Sequence, residues 1–135
     1  MSTIANPKIL AVDDAPDNLF LLELLLGEEK DYQLSCFSRG KSAIKAVESA
    51  PPDLILLDIG MPDLDGFEVT RRIRNNDALP YIPIVIMTAH DASVTQRALA
   101  AGADKIIHKP YEIQNLLETV ETFLLHQCEC GCGCE

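Results

Sequence analysis

Three features of the sequence predict an α/β domain with a five-stranded parallel sheet and five helices. Short apolar runs alternate with amphipathic stretches at close spacing, the pattern of βα units joined by right-handed crossovers. The central run, Leu54 to Leu57, is uninterruptedly apolar, as suits a strand covered by helices on both faces. Acidic, hydroxyl or basic residues stand just past most of the strands, where open α/β sheets place their ligand crevice.

The elements follow in order. Lys8 to Val12 reads as the first strand and ends in Asp13-Asp14. Pro16 opens a helix at its favoured first-turn position; Leu19, Leu22 and Leu26 recur at helical spacing, and Gly27 is the expected stop. Phe20, Leu21, Leu24 and Leu25 make that helix apolar nearly all round, so it is either deeply packed or offers an apolar face to a partner. Tyr32 to Phe37 is a weaker second strand. Gly40 to Ser49 follows as a helix burying Ile44 and Val47, and Pro51-Pro52 punctuates before the central strand. Asp58 ends that strand, Met61-Pro62 breaks regular structure, and Asp65 is placed to cap a helix over Gly66 to Asn75 that turns Val69 and Ile73 inward. Ile82 to Met87 is the fourth strand, running into Thr88-Ala89-His90. Ser93 to Ala101 is an alanine-rich helix with Val94, Ala98 and Ala101 on one face, closed by Gly102. Lys105 to His108 is the fifth strand, followed by Lys109-Pro110. Glu112 to Leu125 is the last helix, with a stripe of Ile113, Leu116, Leu117, Val120 and Leu124.

A chain of 135 residues is one domain of ordinary size. Its 47% apolar content excludes a disordered composition. A formal net charge of −10 argues against a nucleic-acid surface, which needs clustered Lys and Arg, and suits cations or partners with basic faces. No stretch approaches a membrane span, and Met1 to Pro7 lacks a signal-peptide pattern, so a cytoplasmic protein is expected. Only Cys36 of the five cysteines lies in the body of the chain, so no disulfide framework is expected.

A parallel sheet brings its carboxyl ends to one edge, so Asp13, Asp14, Asp58, Thr88 and Lys109 are expected to converge. Three carboxylates repel unless a cation joins them, and hard oxygen donors with room for water suit Mg²⁺. Such a metal can bridge a phosphoryl group, and an Asp carboxylate is a known type of nucleophile for making an aspartyl-phosphate. Lys109 supplies a compact positive charge and Thr88 a hydroxyl donor for phosphoryl oxygens. The bland alternative is an acidic turn, a capping threonine and a surface lysine. Each holds singly, but the order of these residues at successive strand ends disfavours it.

These residues carry a resemblance to a known family. Val12-Asp13-Asp14, Leu57-Asp58 with Met61-Pro62 and Asp65-Gly66, Thr88-Ala89, Ala101-Gly102-Ala103 and Lys109-Pro110 together resemble the receiver domain of two-component response regulators, over about Lys8 to Leu125. The resemblance implies a flavodoxin-like strand order 2-1-3-4-5, for which the chemotaxis receiver is a standing example. It implies that Asp58 takes a phosphoryl group from a histidine kinase or a phosphotransfer histidine. Asp14, Asp58 and the backbone carbonyl of Gly60 would hold Mg²⁺ directly, Asp13 through water, and Thr88 and Lys109 would contact the phosphoryl oxygens. It also implies a cis Lys109-Pro110 bond. Output is expected through protein contacts on the face made by the fourth helix, fifth strand and fifth helix, where Arg97, Leu99, Asp104, Lys105 and Glu112 stand. Weak homodimerisation is a further expectation. Ile106 occupies a switch position that is usually Tyr or Phe in similar domains. His90 is expected at the pocket lip, His108 packed on its strand and His126 near a helix end. No DNA-binding segment follows, so a stand-alone regulator resembling the chemotaxis receiver is expected.

Composition shifts at Gln127, which divides a receiver unit, 1–126, from a cysteine-rich tail, 127–135. Cys128, Cys130, Cys132 and Cys134 alternate with other residues there. Four thiols can wrap a soft metal such as Zn²⁺ or Cu(I), although their spacing is shorter than the usual zinc-ligand gap. The bland alternative is a flexible, reduced tail. A redox- or metal-responsive adaptor acting through that tail is the rival function, and a receiver that binds partners without phosphorylation is the third.

Overall fold

Successive side chains of a strand point to opposite faces, so every apolar strand of this chain feeds two cores. The computed structural model describes residues 7–28, 32–60, 63–89, 92–109 and 111–131. Its five strands are β1 (Lys8–Val12), β2 (Gln33–Phe37), β3 (Leu54–Asp58), β4 (Ile84–Ala89) and β5 (Lys105–Lys109). All pair in parallel, in the order β2-β1-β3-β4-β5, which is the expected 2-1-3-4-5 arrangement. The helices are α1 (Pro16–Leu22), α2 (Gly40–Ser49), α3 (Gly66–Arg74), α4 (Ala92–Ala101) and α5 (Ile113–Gly131).

Leu10, Val12, Ile55, Leu57, Ile84 and Ile86 pack with Ala43 and Val47 of α2, Phe67, Val69 and Ile73 of α3, and Ala98 and Ala101 of α4. The alternate residues Ile9, Ala11, Leu54, Leu56, Val85, Met87 and Ile107 pack with Leu22 of α1, Leu26, and Leu116, Val120 and Leu124 of α5. Ile55 and its β3 neighbours Leu54, Leu56 and Leu57 are at most 1% exposed, as a strand covered on both faces requires.

Several boundaries differ from expectation. β4 begins at Ile84 rather than Ile82, because Pro83 has no N–H to enter a central ladder. It also runs on to Ala89, so Thr88 lies within the strand. α1 does not stop at Gly27. It gives way at Glu23 to a π-helical turn that continues to Glu28. Leu22 and Leu26 are buried while Phe20, Leu21 and Leu24 remain 62%, 37% and 39% exposed, so this segment offers an apolar outer face. In α5 the stripe is as expected from Leu116 to Leu124, but Ile113 is 49% exposed. The helix continues past Leu125 to Gly131, the first glycine it meets.

Two joints position the loop after β3. Asp65 caps α3, accepting a hydrogen bond from the Glu68 N–H at 2.9 Å, as expected. Gly66 packs so closely on the end of β3 that a Cβ there would lie 2.8 Å from the Asp58 carbonyl oxygen. α4 ends at Gly102, whose φ of 116° is a conformation that L side chains rarely adopt.

Candidate phosphoryl-transfer site

The carboxyl edge of the sheet brings together Asp13, Asp14, Asp58 and Lys109 of the residues that the sequence singles out. Asp13 directly follows β1 and its backbone N–H donates to the Phe37 carbonyl at 3.0 Å, which holds it level with the end of β2. Its side chain is buried and accepts from the Ala15 N–H at 2.9 Å, from Asn18 Nδ2 at 3.0 Å and from Lys109 Nζ at 3.1 Å. Asp58 is the last residue of β3 rather than the first beyond it. One of its oxygens accepts from the same Lys109 ammonium at 3.1 Å. Asp14 is exposed, yet it offers an oxygen that lies with oxygens of Asp13 and Asp58 in a cluster no wider than 4.8 Å.

The electrostatics follow from three clustered carboxylates, two of which, Asp13 and Asp58, pair with one ammonium. Burial and the Asp13 charge push the Asp58 carboxyl above its ordinary pKa, against the opposing pull of Lys109. Burial works against the Lys109 charge, but its hydrogen bonds and ion pairs with Asp13 and Asp58 win and raise its pKa. Lys109 is therefore held firmly cationic between two acids. Gly60 stands beside the Asp58 carboxylate: a Cβ on it would lie 4.0 Å from Asp58 Oδ2. Thr88 is nearly buried on β4, one residue past Met87, the partner of Asp58 in the ladder.

The donor set passes a test for a hard divalent cation. It is all oxygen, it gathers three carboxylates in reach of one another, and Asp14 is open to water. Among the described residues, no thiol or imidazole belongs to this cluster.

The profile of the response regulator receiver domain family matches residues 9–121. The chain belongs to this receiver family. Among relatives it is 35% identical over 118 residues to the sensor histidine kinase GacS of Pseudomonas protegens, covering 84% of this chain and 13% of that protein. It is 36% identical over 120 residues to the alkaline phosphatase synthesis transcriptional regulatory protein PhoP of Bacillus subtilis, covering 88% of this chain and 49% of PhoP. The receiver thus spans less than half of either relative. Among solved structures, a two-component response regulator from Clostridium difficile superposes with a TM-score of 0.80 at 33% identity, over 87% of this chain and 95% of that one.

Three parts of the receiver escaped sequence reasoning. Asn18, on α1, braces Asp13; its position one helical turn past Ala15 was the available signal. Asp63 caps α2 across space: it accepts from the Gly40 and Lys41 N–H groups at 2.9 Å each. Those bonds, with burial opposing, pull its pKa from 3.8 down to about 2. On the expected output face, Arg97 stacks its guanidinium 4.2 Å from the centre of the Phe67 ring, and Asp104 is bound to Arg74 at 2.8 Å. Leu99 is 50% exposed there and Lys105 and Glu112 are exposed. Ile106 is half-buried against the core that α4 joins. Met61, Pro62, His90, Pro110 and therefore the expected cis Lys109-Pro110 bond, Cys132 and Cys134 lie outside the described residues, as do the side chains of His126, Cys128 and Cys130. Among the described residues, no helix is long and apolar enough to cross a membrane.

Proposed function

We propose that this receiver takes a phosphoryl group onto Asp58. The observation that carries the reading is the Lys109 ammonium, 3.1 Å from both Asp13 and Asp58 at the edge where three carboxylates gather. An oxygen of the Asp58 carboxylate attacks the phosphorus of a phosphohistidine on a kinase or phosphotransfer protein. The O–P bond forms as the N–P bond breaks, and the imidazole leaves. Hydrolysis reverses the charge state: water attacks phosphorus, the O–P bond breaks, and the Asp58 carboxylate returns.

Lys109 moves its hydrogen bonds from carboxylate to phosphoryl oxygens and offsets the charge that develops on them. Thr88 donates its hydroxyl to another of those oxygens. Asp13, Asp14, Asp58 and the Gly60 carbonyl would hold Mg²⁺, which supplies charge neutralisation when bound. Asn18 keeps the Asp13 carboxylate oriented.

The added charge of about −1.5 to −2 draws Lys109 and Thr88 toward Asp58, and a protein partner reads the change on the α4-β5-α5 face. Leu99, Lys105 and Glu112 are the exposed contacts that this reading assigns to the partner. A cytoplasmic setting follows from a cytoplasmic phosphodonor. We extend the receiver unit over 1–126 and treat 127–135 as an appendage. The test is to incubate the full chain with Mg²⁺ and acetyl phosphate and weigh the intact protein. An acid-labile phosphoryl adduct that needs Mg²⁺ supports the reading. No adduct with any small phosphodonor or phosphohistidine protein refutes it.

A further inference from the structure

The receiver chemistry leaves unused the cation that α4 lays across α3. We infer that the stack of Arg97 on Phe67 is a latch holding α4 at rest, and that phosphorylation reaches α4 by opening this latch through the amino end of α3. The inference rests on the phosphoacceptor reading of Asp58 and adds the regulation of that site.

α4 is held to the body by little apolar surface. Among the described residues its buried side chains are those of Ala98 and Ala101, with Val94 partly buried. Alanine methyls remove little area from water, so other contacts weigh more at this helix. Arg97 is exposed on α4, and its guanidinium carbon lies over the Phe67 ring, 4.2 Å from the centre, within cation–π range. The carboxyl end of the helix is fixed differently. The Gly102 carbonyl accepts from Arg74 Nε at 2.9 Å, and a Cβ on Gly102 would lie 2.8 Å from Arg74 Cγ. The Ala103 N–H returns to the Ala98 carbonyl at 3.0 Å. Loosening Arg97 therefore leaves α4 anchored at its carboxyl end, the point about which it can pivot.

Phe67 is tied to the acceptor. Gly66, the residue before it, donates its N–H to the Ile59 carbonyl at 2.9 Å. A Cβ on Gly66 would also lie 3.0 Å from the Ile59 Cα, so the first turn of α3 rests directly on the end of β3. Phosphorylation replaces the Lys109–Asp58 pair at that end. Close-packed backbone passes the resulting shift into α3 without slack, and the ring beneath Arg97 moves with it. Ile106 on β5 packs against the same core as Phe67 and Ala98. It has no ring with a polar tip and so offers no comparable choice between an inner and an outer position.

The test compares the full chain with Arg97→Met, which keeps an apolar stem without the cation, and with Arg97→Lys, which keeps a cation. Backbone amide NMR signals are followed at rest and with Mg²⁺ and beryllium fluoride, a mimic of a phosphoryl group on Asp58. At rest, the α4 amides from Val94 to Ala101 in Arg97→Met should stand partway toward their fluoride-bound positions, while α1 amides stay in place. Beryllium fluoride should bind Arg97→Met about two- to fivefold more tightly than wild type, because binding and opening favour one another equally. Arg97→Lys should fall between the two. In a Phe67→Leu background, Arg97→Met should have no further effect on either readout. Unmoved α4 amides at rest, unchanged affinity, or an undiminished effect in the Phe67→Leu background overturns the latch. Failure of the wild type to take up either beryllium fluoride or acetyl phosphate would refute the proposed function instead. Hydrogen exchange then decides the resting latch: α4 amides should still exchange about two- to fivefold faster in Arg97→Met, and equal exchange overturns it.

Discussion

The two edges of the sheet hold polar clusters built on opposite principles. At the amino edge, before β4 and β5, Arg74 donates to the Gly102 carbonyl at 2.9 Å, the Ile82 carbonyl at 2.7 Å and Asp104 at 2.8 Å. Asp104 also accepts from the Ile84 N–H at 2.9 Å and from the Tyr81 hydroxyl. Tyr81 lies under the Arg74 guanidinium, 4.6 Å from it, and burial with the Asp104 hydrogen bond pushes its phenol up to about 12. One cation meets one anion there, and each has further polar partners. At the carboxyl edge, three carboxylates gather and one ammonium pairs with two of them, Asp13 and Asp58. The matched cluster fastens α3 to β4 and to the α4-β5 turn. The unmatched one stores a demand for positive charge, which an incoming metal ion can meet.

The largest test removes the nucleophile. Asp58→Asn should abolish acid-labile phosphorylation outright, since an amide oxygen is a poor nucleophile, with intact mass as the readout. The same variant sharpens the electrostatic half of the comparison. The folded pKa of Asp58 is raised, so its ionised form costs stability above that pKa and the cost disappears as pH falls through it. Without divalent ions, Asp58→Asn should therefore melt higher than wild type at neutral pH, and the two curves should converge in acid. Equal melting at neutral pH would mean that Lys109 already balances the cluster.

Breaking the matched edge comes next. Arg74→Ala should cost about 2–3 kcal/mol by urea melting, because it leaves a half-buried carboxylate and two carbonyls without their donor. Mg²⁺ should not restore that loss, and acetyl-phosphate labelling should persist. Lys109→Ala should cost less, about 1–2 kcal/mol, and here added Mg²⁺ should recover much of it, because a cation can replace the missing ammonium between Asp13 and Asp58. An equal response of both variants to Mg²⁺ would erase the distinction between the edges.

The smallest effect belongs to Asp63. Its folded pKa is depressed from 3.8 to about 2, so its capping contribution is fully present above pH 3.8 and lost as pH falls toward 2. Asp63→Asn should lower the melting temperature slightly at neutral pH, with the gap closing across that window. A gap that stays constant with pH would assign the cap to polarity rather than charge.

Sequence by itself determined the alternation of strands and helices and their parallel arrangement. Period-two and 3.6-residue patterns are written among near neighbours, and Asp65 and Gly102 mark helix ends by local geometry. It also placed Asp13, Asp14, Asp58, Thr88 and Lys109 at the ends of strands, because a parallel sheet sends every carboxyl end to one edge. Tertiary structure alone decided what those groups do to one another. Lys109 reaches Asp13 and Asp58 across 96 and 51 residues, Asp63 caps a helix 23 residues upstream, and Arg74 finds Asp104 30 residues on. It also decided that α1 gives way to a π-helical turn and that α5 carries on into the cysteines. Such pairings depend on strand register and helix packing, which set distances between residues whose neighbours in the chain carry no trace of the partner.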